Sequence, residues 1–559
     1  MAELAFATVT VLKEVYLLSR FVARTARSAS HSSTEREALQ NELEFEHLYI
    51  RSFGLLFFQS DGVFVPHERL NEDWLKKIRW ILDGLRLAQG DYAKLAAERD
   101  EVYGKMSPFL KEHGEEVVQE DGRLIEFVEF DREAKELELH PQNVTGLQIG
   151  LGAMKQYSSS CKKSLFPSKD WRWALSEKKH LERILATSQG WTGKLKELVQ
   201  LTMAINQHHQ IPGPLTNLSL TRNENARRLG LSGHAKLRQN IQAAPTDISD
   251  LELKDSTVEL PKQRTTLTPA LLQSSDGLHS VLVETKPLPE NVSEDDERNV
   301  LRLAELLALS SGTDLSTIPL QGVLRIAEEN AYAFVFNYPS DVTDAPPITL
   351  FELIRRPHSV TPGLSLAQRF RVAQSIAKSL NALHADGWVH KSFRSRSIVF
   401  FRDPDGNLKE KPYLVDFEYS RSTNTNTSWT YDDDVEKNLY RHPLRQRPPQ
   451  KSFNQVYDLY ALGVVLLEIG LWRTISSIKE QAQATLEPGN MHDPETLSES
   501  YINTANRDLK HTMGEAYADA VVTCLKGSFG VAVTKPSFAL VVYDLVIQKL
   551  DPKRLLDVY

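Results

Sequence analysis

His390-Lys391-Ser392-Phe393-Arg394-Ser395-Arg396-Ser397 carries three cations and three hydroxyls but no carboxylate. It lies between a helical run, Leu366 to Leu383, and a short apolar run, Ile398-Val399-Phe400. Outward from it come Tyr413-Leu414-Val415-Asp416-Phe417-Glu418, then Tyr440-Arg441-His442-Pro443, then the apolar stretch Asp458-Leu459-Tyr460-Ala461-Leu462-Gly463-Val464-Val465-Leu466-Leu467-Glu468. Upstream, Ser280 to Thr285, Gly322 to Ile326 and Tyr332 to Phe336 read as strands. A sheet first, helices after, and a polar loop in the middle imply an α+β region.

In their order and spacing these landmarks resemble those of protein kinases, over about residues 270–557. The resemblance implies a two-lobed kinase-like fold. It also implies that Ser392 and Ser397 stand where a kinase has its catalytic Asp and a metal-binding Asn, with His390 as a packed histidine beside them. A neutral hydroxyl gives no anionic acceptor near neutral pH and ligates Mg²⁺ more weakly than a carboxylate. No catalytic residue is therefore expected in the loop His390, Ser392, Ser397, and the resemblance is to a pseudokinase.

The nucleotide-binding candidates implied by the same resemblance are Lys286, at the end of a strand, Glu305 as its ion-pair partner with Glu297 as the competing choice, and Asp416, which would hold Mg²⁺. The benign alternative makes Lys286 a solvated strand-end lysine and Glu305 a helix-surface charge. ATP and Mg²⁺ are the cofactors to test. Against them, the segment before Lys286 offers only Asp276-Gly277 rather than a glycine-rich lid, and Glu418 adds negative charge where a glycine is expected. The polar run Ser420 to Ser428, followed by Asp432-Asp433-Asp434, reads as a phospho-switch or as a flexible polar loop.

Residues 1–210 read as a helical bundle. Leu4, Ala7, Val11, Val15, Leu18 and Val22 recur at helical spacing; Thr34-x-x-Glu37 has the spacing of a capping box; and Trp74, Ile78, Ile81, Leu82, Leu85 and Leu95 line a third helix from about 71 to 106. Residues 107–165 read as an insertion, after which Trp171, Trp173, Leu181, Ile184, Leu185, Trp191, Leu195, Leu198 and Val199 restore the helical stripe. Residues 211–269, rich in Pro, Asn, Ser and Thr, read as a linker.

The apolar first helix, the long Trp-containing helix and the segment Lys169 to Lys179 followed by a Leu-rich helix resemble the HeLo domain of fungal prion-inhibition and propagation proteins. That resemblance implies a role in programmed cell death or heterokaryon incompatibility, protein partners or homo-oligomers, and a membrane-active N-terminal helix. The residues concerned are Leu4, Val11, Val15, Arg20, Arg24 and Arg27, an apolar face with arginines able to meet an anionic membrane. Core packing and a solvated basic face are the competing readings.

The chain has 559 residues, a formal charge of −8 and two cysteines, Cys161 and Cys524. Its length calls for several domains, its charge gives no case for nucleic acid, and its cysteines give neither a disulfide framework nor a Cys-rich metal site. No targeting signal or uninterrupted membrane-spanning run is visible, so a cytoplasmic protein is expected, reaching the plasma membrane only when activated.

Overall fold

The computed structural model describes residues 2–28, 34–60, 63–64, 70–102, 178–203, 215–242, 251–254, 256–262, 264–288, 292, 294–310, 315–356, 363–417, 434–446, 452–483, 493–535 and 537–552. The chain divides into two compact units. One comprises 1–199, 212–215 and 222–229; the other comprises 200–211, 216–221 and 230–559.

The first unit is helical. Its long elements are α1 (Ala2–Ser28), α2 (Thr34–Phe58), α3 (Glu72–Val102) and α4 (Lys178–Leu201), with a small hairpin, β1 (Gln59–Ser60) and β2 (Val63–Phe64), after α2. The 3.6-residue periodicity sets the packing. Leu12, Val15, Leu18 and Val22 of α1 are buried, as are Phe53, Leu56 and Phe57 of α2 and Trp74, Ile78, Leu82 and Leu85 of α3. Asn71 starts α3 by accepting the Trp74 N–H at 3.1 Å. Trp191 of α4 lies over Gly84 of α3 so closely that a Cβ there would overlap its ring. One charged pair joins two helices: Arg86 of α3 donates to buried Glu14 of α1 at 3.2 Å. The expected insertion at 107–165, Trp171 and Trp173 lie outside the described residues.

The segment read as a linker holds three helices, α5 (Asn217–Arg222), α6 (Glu224–Arg228) and α7 (Leu231–Gln242), and a strand, β3 (Thr257–Glu259). Its apolar residues are sparse, yet Leu220, Leu229, Leu231, Ala235 and Leu237 are all buried. Polar residues of α7 are buried too. His234 Nδ1 lies 2.5 Å from Asp386 Oδ2, and Arg238 donates to the Ala385 carbonyl. Burial pushes the Arg238 guanidinium down to about 10 against the opposing pull of Asp386. Buried polar side chains of this kind count as solvated in a hydropathy reading, which is why the helix was missed.

The second unit is α+β. An antiparallel sheet runs β3-β4-β5-β7-β6, with β4 (Thr268–Ser274), β5 (Gly277–Pro287), β6 (Leu320–Ile326) and β7 (Ala331–Phe336). Strand alternation sorts β5: Val281 and Val283 join Leu272, Ala333 and Val335 in a core on one face, so Leu282, Glu284 and Lys286 take the other. Helix α8 (Glu294–Ser310) packs on β6 and on α7. A second sheet, β10-β9-β8, joins β8 (Ile348–Thr349), β9 (Ile398–Phe400) and β10 (Tyr413–Leu414).

The remaining helices include α9 (Leu350–Arg355), α10 (Leu366–Ala385), α11 (Val435–Asn438), α12 (Gln455–Leu471), α13 (Ile475–Gln483), α14 (Pro494–Thr504) and α15 (Glu515–Lys526). A capping box, Ser365 with Gln368, starts α10. Helix α12 is buried almost all round, because Gly463 and Gly470 let α15 and its neighbours close on it: a Cβ at Gly463 would sit 2.8 Å from Cys524 Cβ. Cys524 is buried, and burial pushes its thiol up; Cys161 lies outside the described residues. Among the described residues no single helix is long and apolar enough to cross a membrane.

Candidate functional site

The loop 390–397 hangs between the end of α10 and β9, and one carboxylate holds its entry. Asp458, in the first turn of α12, accepts the backbone N–H of His390 at 2.6 Å and of Lys391 at 2.9 Å, and lies 3.1 Å from His384 Nε2. Lys391 has φ +67°, a left-handed conformation that lysine rarely adopts. His390 is fully buried, its ring 4.3 Å from that of Phe417, and burial lowers its pKa to about 4 despite the nearby Asp458 and Asp416. It is the packed histidine of the sequence reading.

Asp416 follows β10 with φ +62°. Its Oδ2 accepts Ser392 Oγ–H at 3.1 Å and Arg394 Nη2–H at 2.7 Å. Burial acts to raise its pKa, but Lys286 and Arg394 outweigh burial and hold it below the usual carboxylate range. Its backbone N–H donates to Glu284 Oε2 at 3.2 Å. Glu284 is itself paired with Lys286, whose Nζ also donates to the Phe417 carbonyl at 2.7 Å. Because Glu284 and Lys286 are two positions apart on β5 they share a face, and both are buried. Burial raises the Glu284 pKa, with Lys286 opposing.

The expected ion pair is thereby corrected. Lys286 meets Glu284 rather than Glu305, because Glu284 stands on its own strand while Glu305 is only half-buried on α8, with Arg302 as its charged neighbour. Nor is Lys286 a solvated strand-end lysine. Ser397 does not face Asp416 as a metal ligand would. Its hydroxyl donates to the Arg394 carbonyl at 2.8 Å and accepts the Arg394 N–H at 2.9 Å, closing a tight turn. Ser395 and Tyr440 share a hydrogen bond of 2.8 Å, and Tyr440 donates to buried Glu468 at 2.9 Å.

In this arrangement the residues do not fit a nucleotide with Mg²⁺. Glu284 puts a carboxylate against the lysine that would meet phosphates, and Arg394 puts a cation on the carboxylate oxygen that would meet the metal. No cluster of three or more His, Cys, Asp or Glu able to hold a metal occurs among the described residues. Sequence reasoning placed Lys286, Ser392 and Asp416 together and missed Glu284 and Arg394. The signal was an acidic residue inside the apolar run Val281-Leu282-Val283, where only a paired carboxylate belongs.

On the N-terminal helix, Val11 and Val15 are buried, Leu4 is partly buried and Phe6 is 76% exposed. Arg20 is partly buried; the side chains of Arg24 and Arg27 lie outside the described set, as do Glu418 and the polar run 420–428. At mid-helix, burial lowers the Lys13 pKa to about 8 and raises that of Glu14, with Arg86 opposing the latter.

A family described as a domain of unknown function, DUF7580, matches residues 327–553. Two Arabidopsis thaliana proteins named as receptor-like protein kinases are similar to the chain: one is 25% identical over 206 residues, 36% of this chain and 22% of its own length. The other is 24% identical over 180 residues, 31% of this chain and 20% of its own length. The chain thus spans about a fifth of the length of these relatives.

Proposed function

We propose that the protein is a two-part signalling or cell-death protein in which a kinase-like region without phosphoryl-transfer chemistry regulates a HeLo-like helical region. The observation that carries this reading is the closed charge circuit Lys286–Glu284–Asp416–Arg394, with Ser392 donating into it where a base would have to accept. Each charge that would serve ATP and Mg²⁺ is matched by a charge of the chain itself. Similarity to proteins named as kinases supports the kinase-like assignment of the second region. The sheet β3–β7 with α8 corresponds in this reading to the smaller lobe, and the helices from α10 onward to the larger.

The helical region supplies the output in this reading. With Glu14 and Lys13 at mid-helix, α1 suits a position in the plane of an anionic membrane rather than across it, and leaving the bundle requires the Glu14–Arg86 pair to break. The protein would act from the cytoplasm with protein partners or as a homo-oligomer.

Two measurements on the full chain test the two halves. Millimolar ATP, with or without Mg²⁺, is expected to leave the unfolding temperature unchanged. Transfer of labelled phosphate that disappears in Asp416→Ala would establish an unorthodox kinase instead. Dye release from phosphatidylserine vesicles is expected from the wild type, and a Glu14→Gln/Arg86→Gln variant should release dye faster. Indifference of both proteins to such vesicles removes the membrane role.

A further inference from the structure

A recess opens between loop 391–394, the segment 437–445 and the start of α12, and its lining includes five cations: Lys391, Arg394, Lys437, Arg441 and Arg445. The carboxylate in that lining is Asp458, whose oxygens are turned inward to the backbone N–H groups of His390 and Lys391 and to His384. Arg394 is balanced by Asp416. Neutral groups position several of the others without cancelling their charge: Arg441 donates to Asn438 at 3.1 Å, the Arg445 guanidinium lies over the rings of Phe453 and Tyr457 at 5.5 and 5.8 Å, and Lys391 lies 5.8 Å from the Phe453 ring. The Arg445 pKa is lowered, first by its burial and also by the repulsion of Arg441, although Tyr457 opposes both.

Like charges gathered around an open recess are unfavourable until an anion arrives. Ser392 matters here in a second way. A carboxylate at that position would repel an incoming anion, whereas the hydroxyl does not. The guanidinium forks match the oxygens of a phosphate monoester, which brings up to two negative charges and three acceptors, better than they match a single carboxylate. At the two ends of the segment, Val435 is 71% exposed and Leu444 is 57% exposed. Separate apolar side chains of this kind suit the flanking residues of a peptide; bilayer insertion would call for a continuous apolar face.

We propose that this recess binds a phosphorylated side chain of a peptide, with Arg441 and Arg445 as the principal phosphate ligands, Lys391 and Lys437 at its sides, and Phe453 and Tyr457 as the floor. The loop that lacks a transfer base becomes, on this assignment, part of a reader of phosphate. The assignment does not depend on whether the Lys286–Glu284 cluster excludes ATP.

The test is fluorescence anisotropy of the full chain with dye-labelled Gly-Leu-phosphoserine-Leu-Gly, its serine and glutamate counterparts, and inorganic phosphate as competitor. The phosphopeptide is expected to bind at least about tenfold tighter than the serine peptide, with the preference shrinking as salt rises. Phosphate should compete. The double variant Arg441→Gln/Arg445→Gln should lose about tenfold or more in affinity. Because Arg445 is half-buried, the partly exposed Lys437→Glu serves as a second variant with less risk to the fold, and a loss of about threefold is expected there. Equal binding of phosphorylated and serine peptides, or phosphopeptide binding that survives both variants, would overturn the proposal. A glutamate peptide that binds as well as the phosphopeptide overturns the phosphate assignment. Equally strong binding to phosphatidylserine vesicles, lost in the same variants, overturns the peptide.

Discussion

Two aspartates address the same loop, and they do so differently. Asp458 reaches it from α12 and binds backbone: its partners are the N–H groups of His390 and Lys391, with His384 beside them. Asp416 reaches it from β10 and binds side chains, those of Ser392 and Arg394, within a cluster that also holds Lys286 and Glu284. Backbone donors are present whatever the sequence, so the Asp458 anchor tolerates change in the residues it holds. Side-chain partners define chemistry, and around Asp416 they have been replaced until the charges cancel one another. The contrast explains how a fold framework persists where a reaction centre does not.

The largest effect should come from the anchor. Asp458→Ala strands two buried N–H groups and His384, and is expected to cost about 3–5 kcal/mol in urea unfolding. Asp416→Ala should cost roughly 1–2 kcal/mol, because Lys286 keeps Glu284 and Arg394 can turn towards water. Equal costs for the two aspartates would erase the distinction.

A carboxylate on the same helix sharpens the comparison through pH. Glu468 is completely buried, accepts from Tyr440 and from the Ile475 N–H, and is pushed up to about 7 by burial. Its folded form therefore holds a proton that the unfolded chain releases above the ordinary glutamate range. The stability tied to this residue is complete below about pH 4.5 and falls as pH rises towards 7, by about 3 kcal/mol in total. His390 acts in the opposite sense. Its neutral form is favoured by burial, so its contribution is present above about pH 6.5 and is lost as pH falls towards about 4. Subtracting the profile of Glu468→Gln from that of the wild type isolates the first contribution, and a flat difference between pH 4.5 and 7 would show that Glu468 is ionised in the fold.

The smallest effect belongs to the charge circuit. Glu284→Ala leaves Lys286 buried beside Asp416 alone and should destabilise by about 2 kcal/mol, less than an isolated buried charge because one partner remains. The same variant removes the carboxylate that competes with phosphate at Lys286, so a thermal shift with millimolar ATP that appears only in Glu284→Ala would tie the lost nucleotide site to that residue. No shift in either protein moves the cause to Arg394.

These residues also mark how far the sequence could be read. Apolar runs announced the framework: β5, β7, α10 and α12 fall where alternation or helical spacing put them, and Asp458 heads the most apolar helix of the chain. Ser392 and Asp416 were legible as a site because their surroundings were ordered by those runs. Glu284, Arg394, His234 and Arg238 were not, since a buried charge looks in sequence like a surface charge, and only its partner, 132 positions away for Glu284 and the Asp416 N–H and 152 for His234 and Asp386, gives it away. Pro269 hid another element; it sits inside β4, paired with Leu282, although proline weakens any strand reading.

The left-handed Lys391 has a mechanical meaning. A non-glycine residue at φ +67° lies above its relaxed state by about 1–2 kcal/mol, and the hydrogen bond from its own N–H to Asp458 helps to keep it there. The loop is in this sense a loaded catch, with α12 as the stop. Any event that draws Asp458 away from the Lys391 amide also lets the peptide swing to negative φ, so release of the loop is assisted by strain already stored in the resting chain, and its return must work against that strain.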